Sequence, residues 1–214
     1  MKYNLIQDVC EYLLVLSPNR NISNQILQIK HEFKRRGCLL AANLHPHITL
    51  ANFVLPSAKA EHICICLKKF ASLRRRLLIE LNGFNHFRTH TIFLDVKYKA
   101  AIIQLVVELK KVHGKQMKAY CKSKPYFCRY PHLTIARGLR ADQYIALYSQ
   151  YEDKSFNALF EDNELVLLRR NLFGSRLYKP VKYFSLSGLG NFGEQTDLFH
   201  QTEKSGSPAL CKIY

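Results

Sequence analysis

One six-residue frame occurs twice in this chain, as Pro46-His47-Ile48-Thr49-Leu50-Ala51 and again as Pro131-His132-Leu133-Thr134-Ile135-Ala136. Four positions are identical, and the other two exchange one branched aliphatic for another. Branched aliphatics alternating with polar residues describe a strand, whose side chains point to opposite faces in turn. His47 and Thr49 therefore share one face while Ile48 and Leu50 share the other, and His132 and Thr134 part from Leu133 and Ile135 in the same way. Each strand offers an apolar face to a core and a histidine plus a hydroxyl to a cleft. By chance a His-x-Thr pair is expected only about 0.25 times in a chain of this composition. A third occurrence, His200-Gln201-Thr202, lacks the proline, the apolar spacer and the strand pattern, and is set aside as coincidence.

The surroundings of the two frames repeat as well. Tyr12 to Leu16 is a short apolar run closed by Ser17-Pro18, as in a buried strand. Ile22, Ile26, Ile29 and Phe33 then recur at helical spacing, with Asn21 or Ser23 to cap the start and Gly37 to end it. A strand over 46–54 precedes a helix over 57–73, and strands over 77–83 and 91–96 complete the first half. The second half runs as a helix over 99–113 stopped by Gly114, a strand over 131–136, a helix over 141–151, and strands over 163–169 and 181–187. The frames lie about 85 residues apart, so the pattern predicts an internal duplication. The expected fold is α+β: two pseudo-symmetric lobes, each an antiparallel-rich sheet with helices outside, facing a central cleft. Residues 1–187 form one domain, its lobes near 10–97 and 98–187, and 188–214 read as a loosely held tail rich in Gly, Ser, Thr and Gln.

Two such strands facing each other across a dyad supply two histidines and two alcohols. Along each strand the His and Thr positions stand roughly 6.6 Å apart, a spacing that embraces a phosphate. One neutral imidazole can then take a proton from water or a ribose hydroxyl while the other, protonated, gives one to the leaving oxygen. Thr49 and Thr134 would steady the charge growing on the phosphoryl oxygens. Imidazole suits both roles because it titrates near neutral pH.

The paired Pro-His-apolar-Thr-apolar frames, one per half, resemble those of the two-histidine phosphoesterase superfamily, in particular its bacterial branch named for RNA 2′,5′-ligase and 2′,3′-cyclic phosphodiesterase activities. The resemblance covers roughly residues 10–187. It implies a two-lobed α+β fold, chemistry without a metal, and catalytic roles for His47, Thr49, His132 and Thr134. An arginine often follows the second motif in that family, and Arg137 stands there in this sequence, whereas Asn52 occupies the matching place after the first. Members open cyclic phosphates, cut 2′,5′ or 3′,5′ linkages, or join RNA ends. Hydrolysis is favoured for this chain because no nucleotide-activating motif such as a P-loop is present. The expected reaction opens a 2′,3′-cyclic phosphate on an RNA end or small nucleotide to a 2′-phosphate, with His132 as base and His47 as acid. The alternatives are a 2′,5′-phosphodiesterase acting on a signalling oligonucleotide, an RNA 2′,5′-ligase, and a non-catalytic RNA-binding module.

Charge agrees with a polyanionic partner: Lys and Arg number 32 against 16 acidic residues, a formal charge of +16. Seven of the basic residues fall between Lys110 and Arg129, with no acid among them and with Tyr120, Tyr126 and Phe127 interleaved. That stretch leads into the second frame, so Lys124 and Arg129 are candidate substrate contacts, and Tyr130 and Tyr12 are candidate base-stacking residues. His45 and His47 share a strand face but find no further ligands at suitable spacing, so neither metal nor cofactor is expected. Seven scattered cysteines without a Cys-x-x-Cys pair read as reduced thiols. No signal peptide and no apolar run of about 18 residues is visible, so a cytoplasmic, monomeric protein with no membrane partner is expected.

Overall fold

The computed structural model describes residues 9–38, 45–87, 90–174 and 177–188. The proposed tail therefore lies outside the described residues, apart from Gly188. Strand β1 (Val9–Leu16) leads into helix α1 (Arg20–Arg35), then come β2 (Ile48–Pro56), a single 3-10 turn (Ser57–Lys59) and α2 (Ala60–Ser72). Strands β3 (Leu77–Phe87) and β4 (Thr91–Val96) precede α3 (Ala100–Tyr120). After the short β5 (Tyr126–Phe127) follow β6 (His132–Arg137), α4 (Ala141–Tyr151), β7 (Asn157–Asp162), β8 (Glu164–Asn171) and β9 (Lys179–Ser185).

Local chemistry explains most of these boundaries. Helix α1 is capped by Asn19, rather than by Asn21 or Ser23, because the Asn19 carboxamide oxygen accepts from the Ile22 N–H at 3.1 Å. It ends at Gly37, whose φ of 86° lets the Cys38 N–H turn back to the Phe33 carbonyl at 3.0 Å. Helix α3 does not stop at Gly114. It continues to Tyr120 because Met117, beyond the glycine, is buried in the core, and that packing outweighs the roughly 1 kcal/mol that glycine costs within a helix. Strand β3 extends past the predicted end through a bulge at Gly83, where φ is 71°. Strands β5 and β7 have no counterpart in the sequence-based expectation.

Among the described residues all nine strands join one mixed-order antiparallel sheet, β7-β3-β4-β6-β2-β1-β8-β9, with β5 paired to β2. The strands that carry the two frames, β2 and β6, are neighbours in its middle. The halves of the sheet are not the halves of the sequence. Strands β3, β4 and β7 lie on the β6 side of the framed pair and β1, β8 and β9 on the β2 side, so each side of the sheet draws strands from both parts of the sequence. The helices cross over too: α1 follows β1 yet packs on β6, and α3 follows β4 yet packs on β2. A connected core joins Leu14, Leu16, Ile48 and Leu50 to Ile92, Leu94, Leu133 and Ile135, all fully buried or nearly so. The two framed strands thus share one apolar floor, and neither moves far without the other.

Candidate active site

Strands β2 and β6 meet through the antiparallel pair Ile48 and Leu133, one core residue from each frame. That pair is the third residue of each frame, so the two frames meet at the same position, and a ladder continued from it in either direction would bring His47 toward Thr134 and His132 toward Thr49. Beyond it β2 turns to a different partner, pairing Ala51 with Phe127 and Asn52 with Tyr126. A cleft of about 310 Å³ lies at this junction, lined by His47, Thr49 and Thr134 together with Lys30, Asn52, Arg137 and Ile135, and further along by Glu11, Leu13, Tyr126, Arg170 and Tyr178. That volume lies at the small end of the range for ligand pockets.

Each frame contains a bulge at the same place. In β2, Thr49 pairs with Val15 and Ala51 with Leu14, leaving Leu50 as the extra residue. In β6, Thr134 pairs with Phe93 and Ala136 with Ile92, leaving Ile135 as the extra residue. An unbroken strand would send Asn52 and Arg137 to the face opposite Thr49 and Thr134. One extra residue reverses the parity, so both side chains reach the cleft. Asn52 and Arg137 are therefore counterparts, each the first residue after its frame, one neutral and one cationic.

The two imidazoles are held alike. His47 Nδ1 lies 2.7 Å from the His45 carbonyl oxygen and His132 Nδ1 lies 2.7 Å from the Tyr130 carbonyl oxygen. A carbonyl can only accept, so each Nδ1 carries the proton and each Nε2 of the neutral ring keeps a lone pair. Their surroundings differ. Burial pushes His47 down to about 4, with Lys30, Arg137 and His132 adding cationic repulsion and the His45 carbonyl opposing it. Burial also lowers His132, but the Tyr130 carbonyl and the Asp95 carboxylate pull the other way. Asp95 stands opposite His132 in the β4–β6 ladder and also receives the Tyr130 hydroxyl at 3.3 Å and the Lys99 ammonium at 2.8 Å. Phe87 and Phe93 pack edge-on or tilted against the His132 ring, with centroids 4.7 and 4.9 Å away.

The far wall of the cleft is built on Glu11. Its carboxylate accepts from Asn52 Nδ2 at 2.7 Å and from Arg170, which lies over the Tyr178 ring. Burial alone would raise the Glu11 carboxyl, but bonds from Asn52, Tyr178 and Arg170 hold it below the ordinary range. The same burial, with Glu11 beside it, pushes the Tyr178 phenol up. The sequence pattern singles out none of Lys30, Glu11 or Tyr178, and it shows Arg170 only as half of the basic pair Arg169-Arg170, expected to be solvated surface, whereas the structure sets Arg170 in the cleft wall; the position of Glu11, a residue before Tyr12 on an alternating strand, is a further signal.

Of the expected substrate contacts, Arg137 lines the cleft. Tyr130 stands beside His132 at 6.5 Å between centroids, and its carbonyl orients that ring. Lys124 and Arg129 are exposed and do not line the cleft. Tyr12 is a correction: it is 1% exposed and stacks on Phe53 at 5.6 Å within the core. Strand parity is the reason, because Glu11 and Leu13 take the cleft face and Tyr12 must take the other. Changing Tyr12→Phe is accordingly expected to leave turnover within about twofold of the parent, a steady-state comparison in which a tenfold loss would restore Tyr12 to the substrate. Among the described residues no three His, Cys, Asp or Glu side chains converge as a metal centre, and no helix is long and apolar enough to cross a membrane.

The model of the 2′-5′ RNA ligase superfamily matches residues 18–172, well over half of the chain and both frames. The chain belongs to that superfamily. As a two-histidine phosphoesterase it is an enzyme of a class that acts on RNA and nucleotide substrates. Its fold is similar to that of Escherichia coli LigT complexed with 3′-AMP, at 17% identity and a TM-score of 0.61 over 84% of this chain and 99% of that one. TT0787 of Thermus thermophilus is similar at 14% identity and a TM-score of 0.53, again over 84% and 99% of the two chains. Usb1 of Kluyveromyces marxianus follows the same fold at 12% identity and a TM-score of 0.50, over 83% of this chain and the whole of that one. At these identities the likeness concerns the fold. No curated protein sequence matches the chain. The superfamily's mixed α and β architecture, with its curled antiparallel sheet, is the one described above.

Proposed function

We propose that the enzyme opens 2′,3′-cyclic phosphates on RNA ends or small nucleotides to 2′-phosphates, with His47 as base and His132 as acid. The unequal surroundings of the two imidazoles carry this reading, and they reverse the order expected from sequence. His47, held neutral by burial and three cations, has a free Nε2 lone pair with which to take a proton from water. The water oxygen bonds to phosphorus, the bond from phosphorus to O3′ breaks, and His132 Nε2 gives that oxygen its proton. Asp95 favours the protonated form of His132 that this step needs. Thr49, Thr134 and Arg137 face the same space and donate to the phosphoryl oxygens. Both half-sites come from one chain, so a monomer suffices. An RNA substrate and the free thiols Cys10, Cys38, Cys64 and Cys128 fit a cytoplasmic setting.

The test is a panel of RNA with a 2′,3′-cyclic phosphate end, a 2′,5′-linked dinucleotide and 3′,5′-linked RNA, with products identified by phosphorus NMR. Faster cleavage of the 2′,5′ linkage, with the cyclic end left intact, overturns the substrate assignment. The pH profile tests the roles. In kcat/KM the acidic limb is expected near pH 4, from His47, and the alkaline limb below 6.5, from His132. Asp95→Asn removes what raises His132, so the alkaline limb moves to lower pH and the maximum falls, because less of the enzyme then holds a neutral base with a protonated acid. If the maximum rises instead, the two histidines have exchanged roles.

A further inference from the structure

Lys30 is a feature that the two frames do not account for. On α1 the buried stripe runs Ile22, Ile26, Lys30, Phe33, at helical spacings of four, four and three. A lysine thus occupies a core position, 4% exposed, and among the described residues it is the only buried cation. The other crossover helix, α3, fills its stripe with Ile102, Leu105, Val106, Leu109 and Met117, all apolar. The duplicated architecture therefore does not require a charge at this place. Helix α1 packs on β6, and from there Lys30 reaches the wall of the cleft shared with His47, Thr49, Thr134 and Arg137. It is close enough to His47 and Arg137 for each to feel its charge.

Two cations on one wall of a cleft, one of them withdrawn from water, set up a positive field that a bound anion answers. We infer that Lys30 is a catalytic phosphate ligand, its ammonium and the Arg137 guanidinium together gripping the non-bridging oxygens of the phosphoryl group between His47 and His132. The inference rests on the function proposed above for the location of the phosphorus, and it adds a cation that neither frame contains. Burial, with Arg137 near, brings the lysine down to about 8. The groups that share the cleft with it include His47 and Arg137, with Glu11, Arg170, Tyr126 and Tyr178 further along. An anion bound here favours the ammonium form, so binding above pH 8 draws in a proton.

The experiment measures inorganic phosphate binding to the full chain by calorimetry in buffers of different ionisation enthalpy between about pH 7.5 and 9, the range around the lysine's titration. The parent is expected to take up a proton with phosphate. Lys30→Met is expected to weaken binding at least tenfold and abolish the uptake, and Lys30→Arg to restore affinity in part without it. Thermal stability separates ligand from scaffold. Methionine suits the apolar stripe, so Lys30→Met is expected to melt higher than the parent below pH 8, with the gain shrinking as pH rises toward 10.5, where the parent lysine is neutral in the fold. Undiminished phosphate affinity in Lys30→Met overturns the inference, as does proton uptake that survives the change. Phosphate binding that depends on Lys30 in a protein that opens no cyclic phosphate keeps the inference and rejects the proposed reaction.

Discussion

Replacing His47 or His132 by alanine is expected to lower kcat/KM by about 10²–10⁴-fold in either case, and removing both is expected to cost little more than removing one. The non-additivity follows from the mechanism. Proton removal from water and proton delivery to the leaving oxygen belong to one displacement, so the base is of little use once the acid is gone. Alanine also leaves the supports intact. The His45 and Tyr130 carbonyls that hold the two rings belong to the backbone, and Ile48 and Leu133 remain paired in the floor beneath. Stability should hardly change, and a circular dichroism melt of each variant checks that the loss is chemical. A variant that keeps a tenth or more of parental activity would remove its histidine from the reacting centre. Unequal losses would also be informative: if water can replace one group in part, the polarity proposed here predicts it to be the base, because water itself is the nucleophile.

The frames make the centre of this molecule legible, and the reason is physical. A strand has a period of two, so six residues suffice to say that His47 and Thr49 share a face, and the repeat says that a second such face exists. The same period misleads wherever a bulge intervenes. The family resemblance points to Arg137 as a substrate contact. Simple alternation from Thr134 puts it on the wrong face, and only the extra residue at Ile135 brings it back. Asn52 reaches the cleft by the same device at Leu50, which nothing in its spacing announces. Tyr12 fails in the opposite sense: its strand continues unbroken through Glu11 and Leu13, and parity places it in the core.

Lys30 shows a different limit. The helix that bears it is recognised from Ile22, Ile26, Ile29 and Phe33, a spacing that treats the lysine as the solvated neighbour of a core residue. The observed stripe has Lys30 where that reading has Ile29, which is only partly buried. The two stripes share Ile22, Ile26 and Phe33 and differ only in whether Ile29 or Lys30 completes them, and composition cannot choose between the two because a lysine in the core is the rarer outcome. Lobe membership is likewise beyond reach. A duplicated pattern leaves open whether the strands and helices of its two parts stay together or exchange across the sheet, and long-range pairing such as β1 with β8 shows the exchange.

That exchange gives α1 a structural task as well as a chemical one, and Phe33→Ala is the change that exposes it. Phe33 is fully buried, its ring lies 4.7 Å from that of Tyr151 on α4, and Tyr151 in turn packs edge-on against Phe84 of β3 at 5.0 Å. The carbonyl of Phe33 also receives the Cys38 N–H that closes the helix at Gly37. Truncation to alanine removes a large apolar volume where α1, arriving from β1, is fastened to the opposite half of the sheet. The surrounding rings belong to separate elements and cannot close the void together. The expected destabilisation is about 3–5 kcal/mol in a urea titration, or roughly 6–20 °C in melting temperature for a chain of this size. Function should suffer beyond the loss of folded protein. Lys30 sits one helical turn before Phe33 on the same stripe, so loosening the end of α1 is expected to weaken phosphate binding even where the variant remains fully folded. A loss below about 1 kcal/mol would mean that α1 is not held at this point, and that another contact keeps Lys30 at the wall of the cleft.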